Sequence, residues 1–351
     1  MKRFAVGLAF LAVACGGNIG DATPSDGGGG DGSSQTAVCP TSAGPVRLAT
    51  ATHPIAIAVD ATNIYWIDDT LGTVNEVPLC GGATTTLVET SKLGSKTLVP
   101  DGLAVAGGEV YFTTHDFWNP DPNGNVWRVS AAGGTPPTRL VDDLDLPGPI
   151  VVTGDSMVWI DSWQTTEGRV MQSALDGTGI EVLATSQNEP LALATSADKT
   201  IWSVLGGYQS VGGAIFQTPM GGGSVDGFVV GLGTPLAVAA RDGNVYCADE
   251  GDLKVENSGR VMKAPLDLNA GKATTLVSGG RPQGIAVDSA NVYWTDSASQ
   301  SVERVPIAGG APTTIAKGQV GPLAVTVDDT NVYWVTIAEG KGVGTIMKLA
   351  K

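Results

Sequence analysis

Two histidines and a few acids are the residues of this chain that could perform acid–base or metal chemistry. His53, His115, Asp116 and Glu256 supply imidazole and carboxylate groups, which act as general bases and as ligands of divalent metals. The sequence contains no Gly-x-Ser-x-Gly elbow, no His-Glu-x-x-His helix and no Cys-x-x-Cys pair. Because no motif ties the four residues together, we predict no catalytic residues and keep these four as an alternative set.

Aromatic and charged residues between the apolar segments could instead bind a partner. Flat aromatic rings stack on sugars and apolar groups, and charged side chains fix orientation. The candidates for binding are Trp118, Trp163, Tyr208, Asp121, Glu250 and Arg281. An alternative for Trp118 and Trp163 is that they fold back as lids over the core, because large aromatics are usually mostly buried.

Further acids could attract a cation. Asp68, Asp161, Asp249 and Asp296 occupy one equivalent position and could form a collar of charge. We expect them instead to accept hydrogen bonds from backbone amides, because charges near a core are normally paired or hydrogen-bonded. The segment from Asp121 to Asn125 lacks the downstream bidentate Glu of a calcium loop, so we predict no metal site.

A repeat positions all of these side chains. The segment Asn291–Asp296, which reads Asn-Val-Tyr-Trp-Thr-Asp, has weaker echoes about 40–47 residues apart. The echoes lie at Asn63–Asp68, Glu109–Thr114, Ser156–Asp161, Thr200–Val204, Asn244–Asp249 and Asn331–Thr336. This spacing is typical of a propeller in which one repeat is one blade. The sequence therefore predicts an all-β fold, a seven-bladed β-propeller of four-stranded blades.

The two ends of the chain indicate how the ring closes. Apolar inner strands begin near Ile55, Leu103, Ile150, Leu191, Leu236, Ile285 and Leu323. The last unit lacks an outer strand, whereas Val46 to Thr50 is a spare strand before the first unit. We predict that this N-terminal strand completes the last blade, so that the propeller spans residues 45–351 and leaves no open edge.

The repeat resembles the YWTD-type and NHL-like propellers over about residues 45–351. The match is literal at Tyr293-Trp294-Thr295-Asp296 and near at Tyr65-Trp66-Ile67-Asp68. The resemblance implies the fold and not an activity, because propellers host unrelated functions. The chain also resembles seven-bladed lyases of the streptogramin-opening kind, which place a His and acids with a metal on one face. That likeness implies His53 or His115, with Asp116 or Glu256, for a metal-assisted lyase or hydrolase.

The lengths of the connections distinguish the two faces of the predicted ring. Turns from inner to second strands are short, as at Asp60 to Asn63. Long connections, such as His115 to Asn123 and Glu250 to Ser258, share the opposite face. Because function concentrates on loops held by a rigid scaffold, the long-loop face is the predicted binding surface.

The amino terminus reads as an export signal over residues 1–14. A basic start at Lys2 and Arg3 precedes an apolar run that is too short to span a bilayer. The residues before Cys15 resemble a bacterial lipobox, which implies that Cys15 is the lipid-modified first residue of the mature protein. Gly16 then implies the outer membrane; the alternative is an ordinary cleaved signal. Residues 15–44, rich in Gly, Ser and Asp, predict a flexible tether.

The cysteines predict one disulfide. Cys39 lies just before the closing strand, and Cys80 follows the third strand of the neighbouring first blade. An exported protein permits a disulfide, so Cys39 and Cys80 are the candidate pair. Cys247 replaces a Trp of the repeat and is expected to be buried.

The net charge of the chain limits the classes of partner that it can bind. The formal net charge of −15 repels phosphate backbones, so we expect no nucleic acid as partner. The favoured function is that of a lipid-anchored propeller in the cell envelope, a monomer without cofactor. It would bind an envelope protein, peptide or glycan through its long-loop face. A metal-assisted lyase or hydrolase and a simple spacer or assembly scaffold stay open.

Overall fold

Strands account for nearly all of the regular structure of this protein. The computed structural model describes residues 42–116, 123–162, 165–205, 212–337 and 343–351. These residues form 28 strands and one short 3-10 helix, Thr90–Lys92. None of the helical structure within these ranges is long and apolar enough to cross a bilayer.

The strands form seven antiparallel sheets of four strands, and each sheet is one blade. The chain enters through β1 (Val46–Ala51). Blade 1 holds β2 (Pro54–Val59), β3 (Asn63–Asp68), β4 (Thr73–Pro78) and β5 (Thr85–Glu89). Blade 2 holds β6 (Val99–Ala106), β7 (Glu109–His115), β8 (Gly124–Ser130) and β9 (Thr138–Leu144). Blade 3 holds β10 (Ile150–Thr153), β11 (Ser156–Asp161), β12 (Gly168–Ala174) and β13 (Glu181–Gln187).

The later blades repeat this order. Blade 4 holds β14 (Pro190–Thr195), β15 (Lys199–Val204), β16 (Gly213–Pro219) and β17 (Asp226–Leu232). Blade 5 holds β18 (Pro235–Arg241), β19 (Asn244–Asp249), β20 (Arg260–Pro265) and β21 (Thr274–Ser278). Blade 6 holds β22 (Pro282–Val287), β23 (Asn291–Asp296), β24 (Ser301–Pro306) and β25 (Thr313–Lys317). Blade 7 holds β26 (Pro322–Val327), β27 (Asn331–Thr336), β28 (Gly344–Ala350) and β1.

The second strand of each blade carries the bulk of the core. Aromatic and β-branched residues favour the pleated, buried environment of a strand that has neighbours on both sides. The largest fully buried side chains include the tryptophans of this strand, Trp66, Trp159, Trp202, Trp294 and Trp334. Inner strands such as β2 and β6 contact one another from blade to blade, which arranges the sheets in a ring. The predicted seven-bladed propeller is confirmed.

The predicted closure of the ring is also confirmed. Strand β1 lies antiparallel to β28, with Ala49 opposite Ile346 and Thr50 opposite Thr345. At the same seam, β2 of blade 1 contacts β26 of blade 7. Lys348 Nζ donates a hydrogen bond to the carbonyl oxygen of Leu79 at 2.9 Å, which adds a polar link between blades 7 and 1. The last blade is therefore made from both ends of the propeller sequence.

The antiparallel order gives the ring two distinct faces. We call the face where inner strands begin and second strands end the loop face. It carries the long connections, including residues 90–98 and 250–259. We call the opposite face, where inner strands turn into second strands, the short-turn face. There, Asp60 accepts the backbone N–H of Asn63 at 2.8 Å and the Tyr65 hydroxyl at 2.8 Å, which holds a tight turn.

Candidate functional site

Four buried aspartates at the ends of second strands tie the loop face together. Asp68, Asp161, Asp249 and Asp296 are each at most 5% exposed. Each accepts the backbone N–H of a residue that leads into the inner strand of its own blade. The donors are Thr52 and His53 for Asp68, Asp145 for Asp161, Gly233 and Thr234 for Asp249, and Arg281 for Asp296. The predicted structural role of these acids is confirmed.

Asp249 accepts hydrogen bonds from both backbone and side-chain donors. Its Oδ1 accepts the backbone N–H groups of Gly233, Thr234 and Gly251 at 3.0, 2.8 and 3.1 Å. Arg260 donates to Oδ2 from Nη2 at 2.6 Å. Asp161 has a similar arginine partner, Arg169, although burial still raises the pKa of its carboxyl above the ordinary value. These four carboxylates accept hydrogen bonds from the protein itself, so they do not form the ring of free charges that could attract a cation.

His53 forms a half-buried pair at the entrance to blade 1. Its Nδ1 lies 2.8 Å from Oδ1 of Asp69, and both side chains are 26% exposed. The hydrogen bond to Asp69 raises the pKa of His53, helped by the charges of Asp69 and Asp68 and opposed by burial. The structure thus leaves His53 on the loop face with a carboxylate that orients its ring.

His115 is buried, which corrects its predicted place in a loop. It is the last residue of β7, and its side chain is 6% exposed. Burial lowers the pKa of His115 to about 4 and raises the pKa of the neighbouring Asp101 to about 8, with the charge of Asp69 adding to the second shift. His115 Nδ1 lies 3.9 Å from Asp101 Oδ2, beyond hydrogen-bonding distance. At neutral pH the two groups are therefore an uncharged pair within the structure.

This buried pair predicts how stability depends on pH. Asp101 keeps its proton in the folded state up to about pH 8, while the unfolded chain loses it near 3.8. Stability therefore falls as the pH rises between these values. We expect Asp101→Asn to raise the free energy of unfolding relative to wild type by several kcal/mol at pH 8, and to have little such effect at pH 4.

Urea denaturation at pH 4, 6 and 8 measures this difference. His115 has a lowered pKa, so it destabilises both proteins as the pH falls from about 6.5 to about 4, and its contribution cancels in the comparison. The exposed Asp142→Asn variant is the control and is expected to follow wild type at every pH. Parallel curves for wild type and Asp101→Asn would show that Asp101 ionises normally in the fold.

The structure brings only part of the alternative catalytic set together. His53, His115 and Asp116 lie on the adjoining blades 1 and 2, where Asp116 is buried and accepts the hydroxyl of Thr97. Glu256 lies in the loop between β19 and β20 of blade 5, which adjoins neither blade. Across the residues that the structure describes, no three His, Cys, Asp or Glu side chains are placed to hold a metal ion. Asp69 and Asp101 were missed by the sequence, because each lies outside the repeated segment.

Glu250 and Arg281 form a pair on the loop face. Arg281 Nη1 donates to Glu250 Oε1 at 3.4 Å, and its Nη2 donates to the carbonyl oxygen of Leu253 at 3.3 Å. Burial raises the pKa of Glu250, while the arginine and Gln283 oppose that shift. Two predicted binding residues thus contact each other across blades 5 and 6. Trp118, Asp121, Trp163 and Tyr208 lie outside the described residues and stay predictions.

The loop face also carries exposed apolar side chains that were not among the residues predicted from the sequence. We call them the apolar arc, because they lie on the consecutive blades 5, 6, 7 and 1. Its members and their exposed fractions are Leu253 41%, Val255 52%, Val320 48%, Val343 61% and Leu71 60%. Single exposed apolar residues are ordinary, whereas several on one face are typical of interaction surfaces. Their signal in the sequence was weak, because each is an isolated apolar residue in a polar loop.

The cysteines are placed as follows. Cys80 is disulfide-bonded. Cys247 is a free thiol buried in β19, as expected of a residue that replaces the Trp of the repeat. Cys15 and Cys39 lie outside the described residues. The pairing of Cys39 with Cys80 and the lipidation of Cys15 therefore stay predictions.

Comparison with known proteins shows the fold. The sequence matches no protein-family model and no curated protein. The structure of virginiamycin B lyase from Staphylococcus aureus is similar, with a TM-score of 0.64 and 14% identity over 86% of this chain and 97% of the lyase. A streptogramin B lyase structure gives 0.63 and 13% over 86% and 96%. A chain of a nidogen/laminin complex gives 0.55 and 19% over 76% and 97%. At these identities the likeness concerns the propeller fold alone.

Proposed function

We propose that this protein is a lipid-anchored propeller of the bacterial cell envelope that binds a protein or peptide partner through its loop face. The observation that carries the proposal is the apolar arc. Leu253, Val255, Val320, Val343 and Leu71 are each at least 41% exposed. Apolar side chains that are exposed to water do not stabilise the protein. A partner that covers them removes apolar surface from water, which contributes favourably to the free energy of binding.

The polar surroundings of the arc suit a protein partner. Arg281 donates to both Glu250 Oε1 and the carbonyl oxygen of Leu253, so a hydrogen-bonding pair borders the apolar side chains of blade 5. Apolar centres with polar rims and an arginine are common in protein–protein interfaces. One structurally similar chain comes from a nidogen/laminin complex, which is an assembly of two proteins. A glycan stays the alternative ligand, and Trp118, Trp163 and Tyr208 are the residues predicted to stack on it.

Metal-assisted lyase or hydrolase chemistry is less well supported. Its four candidate residues include the buried His115 and the distant Glu256, so they do not converge on one substrate. His53 is a partly exposed base on the loop face, but the exposed Glu256 of that face lies on blade 5, away from it. A general base must lie within hydrogen-bonding reach of the proton that it removes, with its partner groups around it.

Binding through the apolar arc predicts a clear effect of surface charge. We expect the double variant Leu253→Asp/Val255→Asp to bind the partner at least about tenfold more weakly, because it places carboxylates in an apolar contact. The immobilised propeller is first incubated with detergent-solubilised envelope, and the retained protein is identified by mass spectrometry. Its dissociation constant is then measured with purified components.

A matched control variant tests whether binding of the partner depends on the loop face. Val230→Asp/Val182→Asp changes two valines that are 74% and 50% exposed on the outer strands β17 and β13. This variant is expected to bind within about twofold of wild type. Equal weakening by both double variants would count against the loop face, and retention of no envelope component would count against the binding function.

Anchoring at Cys15 makes a separate prediction. A thioether-linked diacylglycerol requires the cysteine sulfur, so we expect Cys15→Ser to lose incorporation of labelled palmitate and to leave the membrane fraction. Cys39→Ser, at a cysteine with no lipobox before it, is the control and is expected to remain membrane-bound. Fractionation with carbonate washing measures the effect. A Cys15→Ser protein that still sediments with membranes would disprove the anchor.

A further inference from the structure

A groove opens on the short-turn face between blades 4 and 5, on the side opposite the loop face. Its volume is about 710 Å³, within the range of small-ligand sites. The turns at residues 196–199, 240–243 and 266–269 form its walls, together with Gln217 of β16 and Asp226 of β17. The proposed partner surface does not involve any of these residues.

The repeat changes beside the groove, at the residue opposite Gln217. In blades 1, 6 and 7 the third residue of the second strand is a tyrosine, and its hydroxyl donates to an aspartate of the nearby turn. The pairs are Tyr65 with Asp60, Tyr293 with Asp288 and Tyr333 with Asp328, at 2.8, 2.9 and 2.7 Å. Blade 4 has Ile201 in place of the tyrosine and Ser196 in place of the aspartate. Blade 4 therefore lacks the ring and hydroxyl that fill this position in blades 1, 6 and 7.

A buried hydrogen-bond acceptor of the groove, the amide oxygen of Gln217, lacks a donor. Gln217 is 1% exposed, and its Nε2 donates to the carbonyl oxygen of Leu266 at 3.1 Å. That bond fixes the amide so that Oε1 is the free end, and Oε1 accepts no hydrogen bond. A buried acceptor without a donor destabilises a protein, because it has lost its hydrogen bond to water and gained none in return. A ligand with an N–H or O–H group would satisfy it.

The charges around the groove favour a cation. Four carboxylates line it, those of Asp198, Asp226, Asp242 and Asp267, against the two cations Lys199 and Arg241. Arg241 Nε lies 3.4 Å from Asp242 Oδ2, so one cation is already balanced. Within the described residues, Asp198, Asp226 and Asp267 take part in no ion pair. A positively charged donor would therefore gain from both the carboxylates and the buried amide oxygen.

We propose that this groove binds a guanidinium group, as an arginine side chain carries. The planar guanidinium has five N–H donors in a fixed fork, so it can donate to the Gln217 oxygen and to a rim carboxylate at the same time. An ammonium group is a compact, strongly hydrated point charge, so it loses more hydration on leaving water and offers no planar fork of donors. The apolar walls at Ala240 and Leu266 suit the methylene stem of arginine.

Calorimetric titration of the purified full chain tests the proposal. The probe is N-acetyl-arginine amide, and its neutral isostere N-acetyl-citrulline amide is the matched control ligand. We expect saturable binding of the arginine probe and at least about tenfold weaker binding of the citrulline probe. A Gly-Arg-Gly peptide distinguishes the source of the group: tighter binding than the single residue indicates a peptide ligand, and equal or weaker binding indicates a free small molecule.

Variants locate the binding to the groove. Gln217→Leu and Asp267→Asn are each expected to raise the dissociation constant at least about threefold. Asp267 is exposed, so its variant remains informative if Gln217→Leu does not fold. Asp176→Asn is the control, because Asp176 is exposed in the corresponding turn of blade 3 and lies outside the groove. Absence of saturable binding, equal binding of the citrulline probe, or unchanged binding by both groove variants would each overturn the proposal.

Discussion

Deletion of β1 (residues 46–51) is expected to lower the free energy of unfolding by about 3–5 kcal/mol. Five residues of this strand are paired with β28, and a backbone hydrogen bond contributes about 0.5–1.5 kcal/mol net. The buried Ala49 would also be lost from the core at the seam. Since the whole stability of a domain is about 5–15 kcal/mol, this deletion removes a large share of it.

A deletion of equal length in the predicted tether provides the control. Removal of residues 27–32 takes out six residues that the sequence assigns to a flexible segment, and it is expected to leave the melting midpoint unchanged. Thermal melting by circular dichroism compares the two proteins with wild type. The β1 deletion also exposes β28 as a free edge, so it is expected to aggregate more readily. Equal melting midpoints for the two deletions would show that β1 does not close the ring.

Asp249→Ala is expected to destabilise the protein by about 3–5 kcal/mol. The change leaves the N–H groups of Gly233, Thr234 and Gly251 without their acceptor, and it removes the partner of Arg260. Loss of one member of a buried, hydrogen-bonded ion pair has effects of this size. Asp249 is fully buried, so water cannot replace the lost carboxylate without rearrangement.

The measurement is chemical denaturation at pH 7 with an exposed pair as reference. Asp142→Ala removes the partner of Arg139, which lies 3.5 Å away with both side chains more than half exposed. It is expected to change stability by less than about 1 kcal/mol. If Asp249→Ala and Asp142→Ala had similar effects, the buried aspartates would not tie the inner strands to the loop face.

The repeat predicted the fold well because each blade uses the same residues for the same packing. Segment Asn291–Asp296 is β23 without a change of boundary, and Val46 to Thr50 lies within β1 as expected. The structural role of the buried Asp68 and Asp249 could also be predicted, because both occupy the same position in the repeat. Periodicity is a strong signal where neighbouring repeats pack alike.

The sites were harder to predict because they depend on departures from the repeat. His115 was assigned to a loop, yet one further residue of strand placed it in the core. Asp101 lies in β6 ahead of the apolar residues that mark an inner strand, so its burial had no periodic signal. Gln217 lies opposite Ile201, which stands where blades 1, 6 and 7 have a tyrosine, and the groove beside it exists only once blades 4 and 5 are packed together.

The direction of β1 determines how a mechanical load reaches the ring. Ala51 leads into the inner strand β2 at the loop face, so Val46 lies at the short-turn face. An anchor joined to Val46 by the predicted flexible tether would therefore pull on the ring from its short-turn face. Tension between such an anchor and a partner on the loop face would act along the axis of β1. The hydrogen bonds between β1 and β28 would then share the force in shear, instead of opening one after another.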